Sequence, residues 1–238
     1  MIEAGRVRLN GKRLDTPAVT VTAADKIEVD GKRIGEAEPA RLWRYHKPQG
    51  LVTTERDEKD RATVFDRLPV DLPRVMSVGR LDIASEGLLL LTNDGGLKRR
   101  LELPSTGWLR KYRVRVHGVV TDSIVEPLLE GITVEGTKYQ PMELQIDSQK
   151  GANAWLTVGI REGKNREVRR AMEAVGLVVN RLIRVSYGPF ALGDLAAGQV
   201  DEIRTKIVRD QLGGSLDSKS KPTSKQPHRA RRVTKKEK

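Results

Sequence analysis

The sequence predicts an α+β protein that is rich in strands, on the basis of three observations. Short alternating or continuous apolar segments recur along the middle of the chain, as expected of strands. Two segments of helical composition, residues 96–103 and 166–175, lie between those strands. The chain has 238 residues, of which 37% are hydrophobic, enough for one sizeable domain and a small one. We therefore divide it into a module over residues 1–40, a main domain over residues 41–212 and a tail over residues 213–238.

The first forty residues predict two β-hairpins. Asn10 and Gly11 lie between alternating residues, and Asp30 and Gly31 repeat this arrangement further along the chain. Asn-Gly and Asp-Gly are the strongest short-range signals for a two-residue hairpin turn.

The first half of the main domain predicts a loop that enters a buried strand. Residues 42–47 form an alternating strand that ends at proline, and residues 75–78 form a short strand. The apolar run over residues 88–91 is too short for a confident helix and is closed by an Asn-Asp-Gly turn, which favours a buried strand. Asp82 lies in the loop before this strand, and a short helix is predicted over residues 96–103.

Residues 110–118 give the clearest alternating pattern in the chain. Apolar side chains fall on one face and basic ones on the other: Tyr112, Val114 and Val116 against Lys111, Arg113, Arg115 and His117. Three elements are predicted after this strand: a strand over residues 154–160, a helix over residues 166–175 that ends at a glycine, and a strand over residues 181–187.

Composition limits the classes of protein that fit. The chain has no cysteine, which excludes disulfides and thiolate zinc sites, and its three histidines lie far apart in sequence without a carboxylate at ligand spacing, so no metal is predicted. It has neither an apolar run long enough to span a membrane nor the apolar core of a secretory signal. We therefore expect a cytoplasmic protein with no membrane partner.

The formal net charge of +12 suggests a polyanionic partner, but much of it lies in the tail. Residues 213–238 hold nine Lys or Arg against two acids, so they carry +7 of that charge. Their Ser-, Lys- and Pro-rich composition predicts disorder, because so few apolar residues cannot offset the entropy of ordering. The tail is either a solubilising segment or a non-specific electrostatic tether to RNA phosphates.

Asp82 admits two interpretations from the residues alone. An isolated aspartate in a glycine-flanked loop usually caps a turn. A loop held by a rigid sheet can also keep a reactive carboxylate both exposed and fixed.

Four motifs decide between these interpretations through their resemblance to a known family. They are Gly-Arg-Leu-Asp at residues 79–82 with the following Gly-Leu-Leu-Leu-Leu-Thr, Lys-Tyr-Arg-Val at 111–114, Glu-Gly-Lys-Asn-Arg-Glu-Val-Arg-Arg at 162–170, and Arg-Leu-Ile-Arg-Val at 181–185. In order and rough spacing they resemble the pseudouridine synthases of the RsuA and RluB type, over about residues 41–210. The resemblance implies a mixed, largely antiparallel sheet with flanking helices and a central cleft. It also implies isomerisation of a uridine in rRNA, which is redox-neutral and needs no cofactor.

The resemblance also implies the site. Asp82 is expected to be the catalytic carboxylate, and Tyr112 to stack on the uracil or act as general base at C5. We expect Lys164 to pair with Asp82, because a cation before a helix opposes the helix dipole and needs an anion nearby. RNA contacts are expected from four arginines and one apolar wall: Arg80, Arg166, Arg169, Arg184 and Leu182.

The target and the module leave alternatives open. Asn165-Arg166-Glu167 is closer to the RluB type, which acts on large-subunit rRNA, than to the small-subunit enzyme, which has Tyr-His-Gln there. A uridine in 16S rRNA is the second possibility, and a non-catalytic S4-type ribosome-assembly protein is the third. Residues 1–40 resemble the second half of an S4 RNA-binding domain without its basic helices, so either the true start lies upstream or the remnant is a structural flap. We expect a monomer that acts on rRNA, with an assembling ribosome as a possible substrate.

Overall fold

The structure is a computed structural model that describes residues 1–22, 24–35 and 38–212. The chain forms two compact units, Met1–Pro39 and Ala40–Lys238. The predicted disordered tail over residues 213–238 lies outside the described residues. Within the described ranges, no helix is both long and apolar enough to cross a membrane.

The first unit is an antiparallel sheet of four short strands in the order β2-β1-β3-β4. The strands are β1 (Val7–Leu9), β2 (Lys12–Arg13), β3 (Ile27–Val29) and β4 (Lys32–Arg33). Both turns have positive φ at their two central residues: 51° and 81° at Asn10 and Gly11, 52° and 76° at Asp30 and Gly31. This is the requirement of a type I′ turn, so both predicted hairpins are confirmed. The S4 resemblance of this unit stays a prediction.

The second unit is built on one mixed sheet. Its strands are β5 (Leu42–Lys47), β6 (Met76–Val78), β7 (Glu86–Thr92), β8 (Arg110–His117), β11 (Glu143–Lys150), β12 (Asn153–Ile160), β13 (Val178–Tyr187), β14 (Phe190–Ala191) and β15 (Val200–Ile203). A separate ribbon joins β9 (Thr133–Val134) to β10 (Thr137–Lys138). The helices are α1 (Gly95–Glu102), α2 (Asp122–Glu130), α3 (Glu167–Ala174) and α4 (Thr205–Leu212).

The strand order in this sheet is β11-β12-β8-β13-β7-β5-β15, with β14 beside β13 and β6 beside β7. The pairs are antiparallel except β7 with β13, which is parallel. The predicted α+β class with a mixed, largely antiparallel sheet is therefore confirmed. The parallel contact places the start of β7, and the loop before it, beside the middle of β13.

The two faces of β7 pack into two different apolar cores. All seven residues of β7 are buried. Leu89 and Leu91 join a core that includes residues of α2 and α3, whereas Leu88 and Leu90 join a second core with residues of α1 and α4. Apolar packing on both of its faces explains why residues 88–91 form a continuous apolar run, whereas β8, covered on one face, alternates as predicted.

Gly87 is required where β7 meets β13. Its φ is +101°, and a Cβ added to it would lie 2.3 Å from the backbone oxygen of Arg184. A side chain at this position would push apart the two parallel strands.

Candidate active site

Asp82 lies in the loop between β6 and β7, and its side chain is 32% exposed. Every carbonyl from residue 81 to residue 85 accepts a hydrogen bond. Three of the bonds come from donors distant in sequence: Thr53 Oγ1 to Leu81 O (2.9 Å), Gly50 N to Ile83 O (2.8 Å) and Arg169 Nη2 to Ala84 O (2.8 Å). The loop is therefore fixed by its main chain, and the Asp82 carboxylate is left to project from it.

Lys47, at the end of β5, supplies the other distant tether. Its ammonium is fully buried and donates to three carbonyls, at 3.0 Å to Pro48 O, 3.2 Å to Asp82 O and 2.8 Å to Ser85 O. Burial lowers the pKa of Lys47 to about 8, although the nearby Asp82 and Glu86 charges act in the opposite direction. A single buried cation thus holds both ends of the turn that carries Asp82.

A cleft of about 740 Å³ opens in front of this loop. Asp82 and Arg80 line one part of it, Tyr112 of β8 and Leu182 of β13 line another, and residues 163–168 at the start of α3 line a third. Tyr112 and Leu182 are 8% and 5% exposed and also belong to the core. The cleft therefore combines a projecting carboxylate with a firm aromatic and aliphatic floor.

The cation that faces Asp82 is Arg166. Its Nη1 lies 4.0 Å from Asp82 Oδ2, and both side chains are partly exposed. Arg166 is the N-cap of α3 and has left-handed backbone angles, φ 51° and ψ 29°, so α3 begins one residue later than predicted. This backbone turn directs a side chain from the helix start toward the Asp82 loop.

The predicted pairing of Lys164 with Asp82 is wrong. Lys164 Nζ donates instead to Glu162 Oε2 and to the carbonyl of Lys138, both at 2.6 Å. The nearer carboxylate, two residues away, satisfies the ammonium, and the Lys164 backbone N donates to Glu167 Oε2 at 2.9 Å. Lys164 still lines the cleft, so a contact with substrate remains a prediction.

Glu167 is a buried acid at the same helix start. It is 3% exposed, and burial, together with Glu162, raises its pKa to about 7. For Glu162, burial acts against ionisation, but hydrogen bonds from Lys164 and the Gln140 amide hold its pKa below the usual range. Below about pH 7, therefore, Glu162 carries the negative charge and Glu167 retains its proton.

Two arginines expected to bind phosphates donate hydrogen bonds to backbone carbonyls. The guanidinium of Arg169 donates to Val179 O at 3.0 Å and to Ala84 O at 2.8 Å, so it ties the Asp82 loop to β13. Arg184 is 2% exposed and donates from Nε to Leu88 O at 2.7 Å. Arg184 still lines the cleft, and direct phosphate contacts from these two arginines stay predictions. Arg80 is exposed on the cleft and makes no ion pair among the residues described.

Sequence reasoning missed Lys47 and Glu167. A signal for Lys47 was present, because it follows Trp43 and Tyr45 at alternate positions of one strand and so points to the same buried face. Glu167 gave no such signal, since acidic residues are common in the first turn of a helix.

The cleft brings together one carboxylate beside a guanidinium and an apolar surface formed by Tyr112 and Leu182. No group of three side chains suited to hold a metal ion occurs in the described ranges. This arrangement favours chemistry at a single carboxylate on a substrate that brings its own negative charge.

The sequence and the fold both match those of known proteins. Residues 41–174, more than half of the chain, match the family model for RNA pseudouridylate synthases, and the chain belongs to that family. It is therefore an isomerase that acts on RNA. Among its relatives, an RNA pseudouridine synthase of Rickettsia felis is 44% identical over 87% of this chain and 90% of its own length. Ribosomal large subunit pseudouridine synthase B of Escherichia coli is 41% identical over 93% of this chain and 79% of its own length. A solved structure of a pseudouridylate synthase aligns with a TM-score of 0.67 at 26% identity, covering 89% of this chain and 90% of that one.

Proposed function

We propose that this enzyme converts a uridine of large-subunit rRNA to pseudouridine, with Asp82 as the catalytic carboxylate. The observation that carries the proposal is the Asp82 loop, in which five successive carbonyls are bound and the carboxylate projects into the cleft beside Arg166. Such fixation is what a reacting group needs, because small misplacements of a catalytic group cost large factors in rate.

The reaction breaks the bond from C1′ to N1 and forms a bond from C1′ to C5. N1 gains a proton and C5 loses one, so no redox partner or external group is consumed. Asp82 either attacks the sugar as a nucleophile or removes the C2′ proton to give a glycal intermediate. Both routes use the carboxylate as an anion, and the guanidinium of Arg166 lies beside it, with Nη1 4.0 Å from Asp82 Oδ2.

The target base must leave its stack before Asp82 can reach the ribose. Tyr112 and Leu182 form a floor on which the extruded uracil can rest. Arg80 and Arg166 are the exposed cations at the cleft suited to the neighbouring phosphates. Phosphate contacts of this kind help to offset the cost of unstacking the base.

Large-subunit rRNA is the favoured target for two reasons. The Escherichia coli relative is a large-subunit enzyme by name, and this chain shares 41% of its residues over the aligned region. Asn165-Arg166-Glu167 also follows the RluB type. The S4-like module and the basic tail would add contacts to the same RNA, and we expect a cytoplasmic monomer.

The test is tritium release from C5-labelled 23S and 16S rRNA transcripts. Asp82→Asn should lower the rate by about 10⁴-fold or more, because the amide can act neither as nucleophile nor as base. Its affinity for the transcript should remain. The matched control is Asp210→Asn, an exposed aspartate on α4, which should retain the wild-type rate. Appreciable turnover by Asp82→Asn would refute the mechanism, and modification of the 16S transcript alone would refute the target.

A further inference from the structure

One face of the sheet is left uncovered over β8. On the face that bears the second core, helices α1 and α4 pack over β5 and β7, and their cover ends near Ile183 of β13. Ile183 is paired with Arg113 of β8, so the side chains of Arg113 and its outward neighbours continue the same face. The buried residues of this second core include none from β8, β11 or β12.

The uncovered area is strongly basic. We define the outer basic face as the exposed side chains of β8 with the tryptophan of β12 beside them: Lys111, Arg113, Arg115, His117 and Trp155. From Lys111 to His117 these side chains follow one line about 20 Å long, at the rise of about 3.3 Å per residue of a strand. Like charges repeated along one strand do not stabilise a fold, so a structural role does not account for this line.

Few acids neutralise these cations. Arg113 lies 3.9 Å from Asp147 of β11, and this is the ion pair that the line makes within the described ranges. Lys111 and Arg115 make no side-chain ion pair or hydrogen bond among the residues described. Arg115 is opposite Arg181 of β13, whose own charge is already paired with Glu86. Two free cations, one on each side of Arg113, therefore remain on the face.

An aromatic ring lies among the cations. Trp155 is the direct cross-strand neighbour of Arg115, and the guanidinium carbon of Arg113 lies 4.9 Å from the centre of its ring. The stacked guanidinium presents a flat, charged plane at the surface. Cationic tracks interrupted by such planes are typical of surfaces that hold the phosphates of RNA and stack its bases.

We propose that the outer basic face is a second RNA-binding surface, which holds rRNA phosphates that flank the target uridine outside the cleft. The inference rests on the proposed function for the identity of the RNA. Charge complementarity favours RNA over an anionic membrane, because the large side chains of this face are charged or stacked and none forms an apolar patch for insertion into lipid.

The test compares two double variants that each remove two exposed cations. Lys111→Gln with Arg115→Gln alters the outer basic face, and Lys206→Gln with Arg209→Gln alters α4 as the control. Affinity for a 23S rRNA transcript is measured by filter binding at several salt concentrations. The face variant should bind about tenfold more weakly at low salt and lose about 1.5 from the slope of log K against log salt, since each phosphate contact contributes about 0.7 to 0.9. The α4 variant should leave the slope unchanged.

Turnover separates this inference from the proposed function. At saturating transcript, the face variant should keep the wild-type single-turnover rate while its apparent KM rises, because its side chains lie outside the cleft. Exchanging the cations, Lys111→Arg with Arg115→Lys, should restore the salt slope. If the salt slope of the face variant equals that of wild type, the second RNA-binding surface is refuted. It is also refuted if the face variant loses binding to phosphatidylglycerol vesicles but keeps its binding to the transcript. The binding measurement needs no product, so it stands even if the transcript is never modified.

Discussion

Lys47 is the most informative position to perturb, because one buried ammonium holds the turn that carries Asp82. Replacement by methionine keeps most of the side-chain volume and removes the three hydrogen bonds to Pro48, Asp82 and Ser85. Asp82 O keeps its hydrogen bond from Ser85 N at 3.0 Å. The carbonyls of Pro48 and Ser85 lose the Lys47 ammonium and have no such second donor. At about 1–3 kcal/mol for each buried group left unsatisfied, the loss is about 2–6 kcal/mol.

Removal of the charge also brings a gain. The pKa of Lys47 is lowered from 10.5 to about 8, which corresponds to about 3 kcal/mol spent on burying the ammonium at neutral pH. The two effects largely cancel, so Lys47→Met should change the free energy of unfolding at pH 7 by only about 2 kcal/mol. The loop nevertheless loses its tether. We expect the single-turnover rate to fall by about 10- to 100-fold, since a misplacement of about 1 Å can have that effect.

The pH dependence of stability gives an independent check. Between about pH 8 and pH 10.5 the unfolded chain binds the Lys47 proton and the folded chain does not, so the free energy of unfolding rises with pH in this window. Relative to Lys47→Met, the wild type should therefore gain about 2 kcal/mol between pH 6 and pH 9.5. Urea unfolding at several pH values measures this difference, with Lys59→Met, an exposed lysine, as the control. An unchanged single-turnover rate, or a difference that is flat with pH, would refute the role given to Lys47.

Three further predictions address the cleft and the sheet. Arg166→Met should lower the single-turnover rate about tenfold, whereas Lys164→Met should act mainly on apparent KM, because Arg166 and not Lys164 faces Asp82; equal rate losses in the two variants would contradict this assignment. Gly87→Ala should destabilise the protein by about 3 kcal/mol or more, since the new Cβ would meet the Arg184 carbonyl and φ is +101°; a thermal midpoint within a degree of wild type would show that β7 and β13 can separate. The raised pKa of Glu167 makes its contribution to stability fall as pH rises through about 7. The wild type should therefore lose stability between pH 5 and pH 8 relative to Glu167→Gln, which cannot ionise there. Parallel stability profiles of the two proteins across this range would show that Glu167 is not the buried acid that titrates.

Much of the fold was predictable because its signals are local. The alternation of residues 110–118, the continuous apolar run of β7 and the two Asx-Gly turns each follow from which side chains face the core or which φ a turn requires. The elements that were not predicted have weak local signals. Strand β11 is almost wholly exposed, and α2 contains Pro127 in its interior. Their structure depends on tertiary contacts, because β11 pairs with β12 and α2 packs against β11.

The sequence by itself determined that Asp82 occupies a loop before a buried strand and that the chain resembles pseudouridine synthases. It did not determine which cation lies beside the Asp82 carboxylate. Lys164, Arg166 and Arg169 lie close together in sequence but have different partners. Arg166, at a left-handed turn, faces Asp82, whereas Lys164 pairs with Glu162. Arg169 donates to the carbonyl of Ala84, 85 positions away. Lys47 likewise acts on carbonyls 35 and 38 residues distant. Only the tertiary structure decides such contacts, because hydrogen-bond and charge partners are chosen by distance in space, whereas local pattern records only which face a residue occupies.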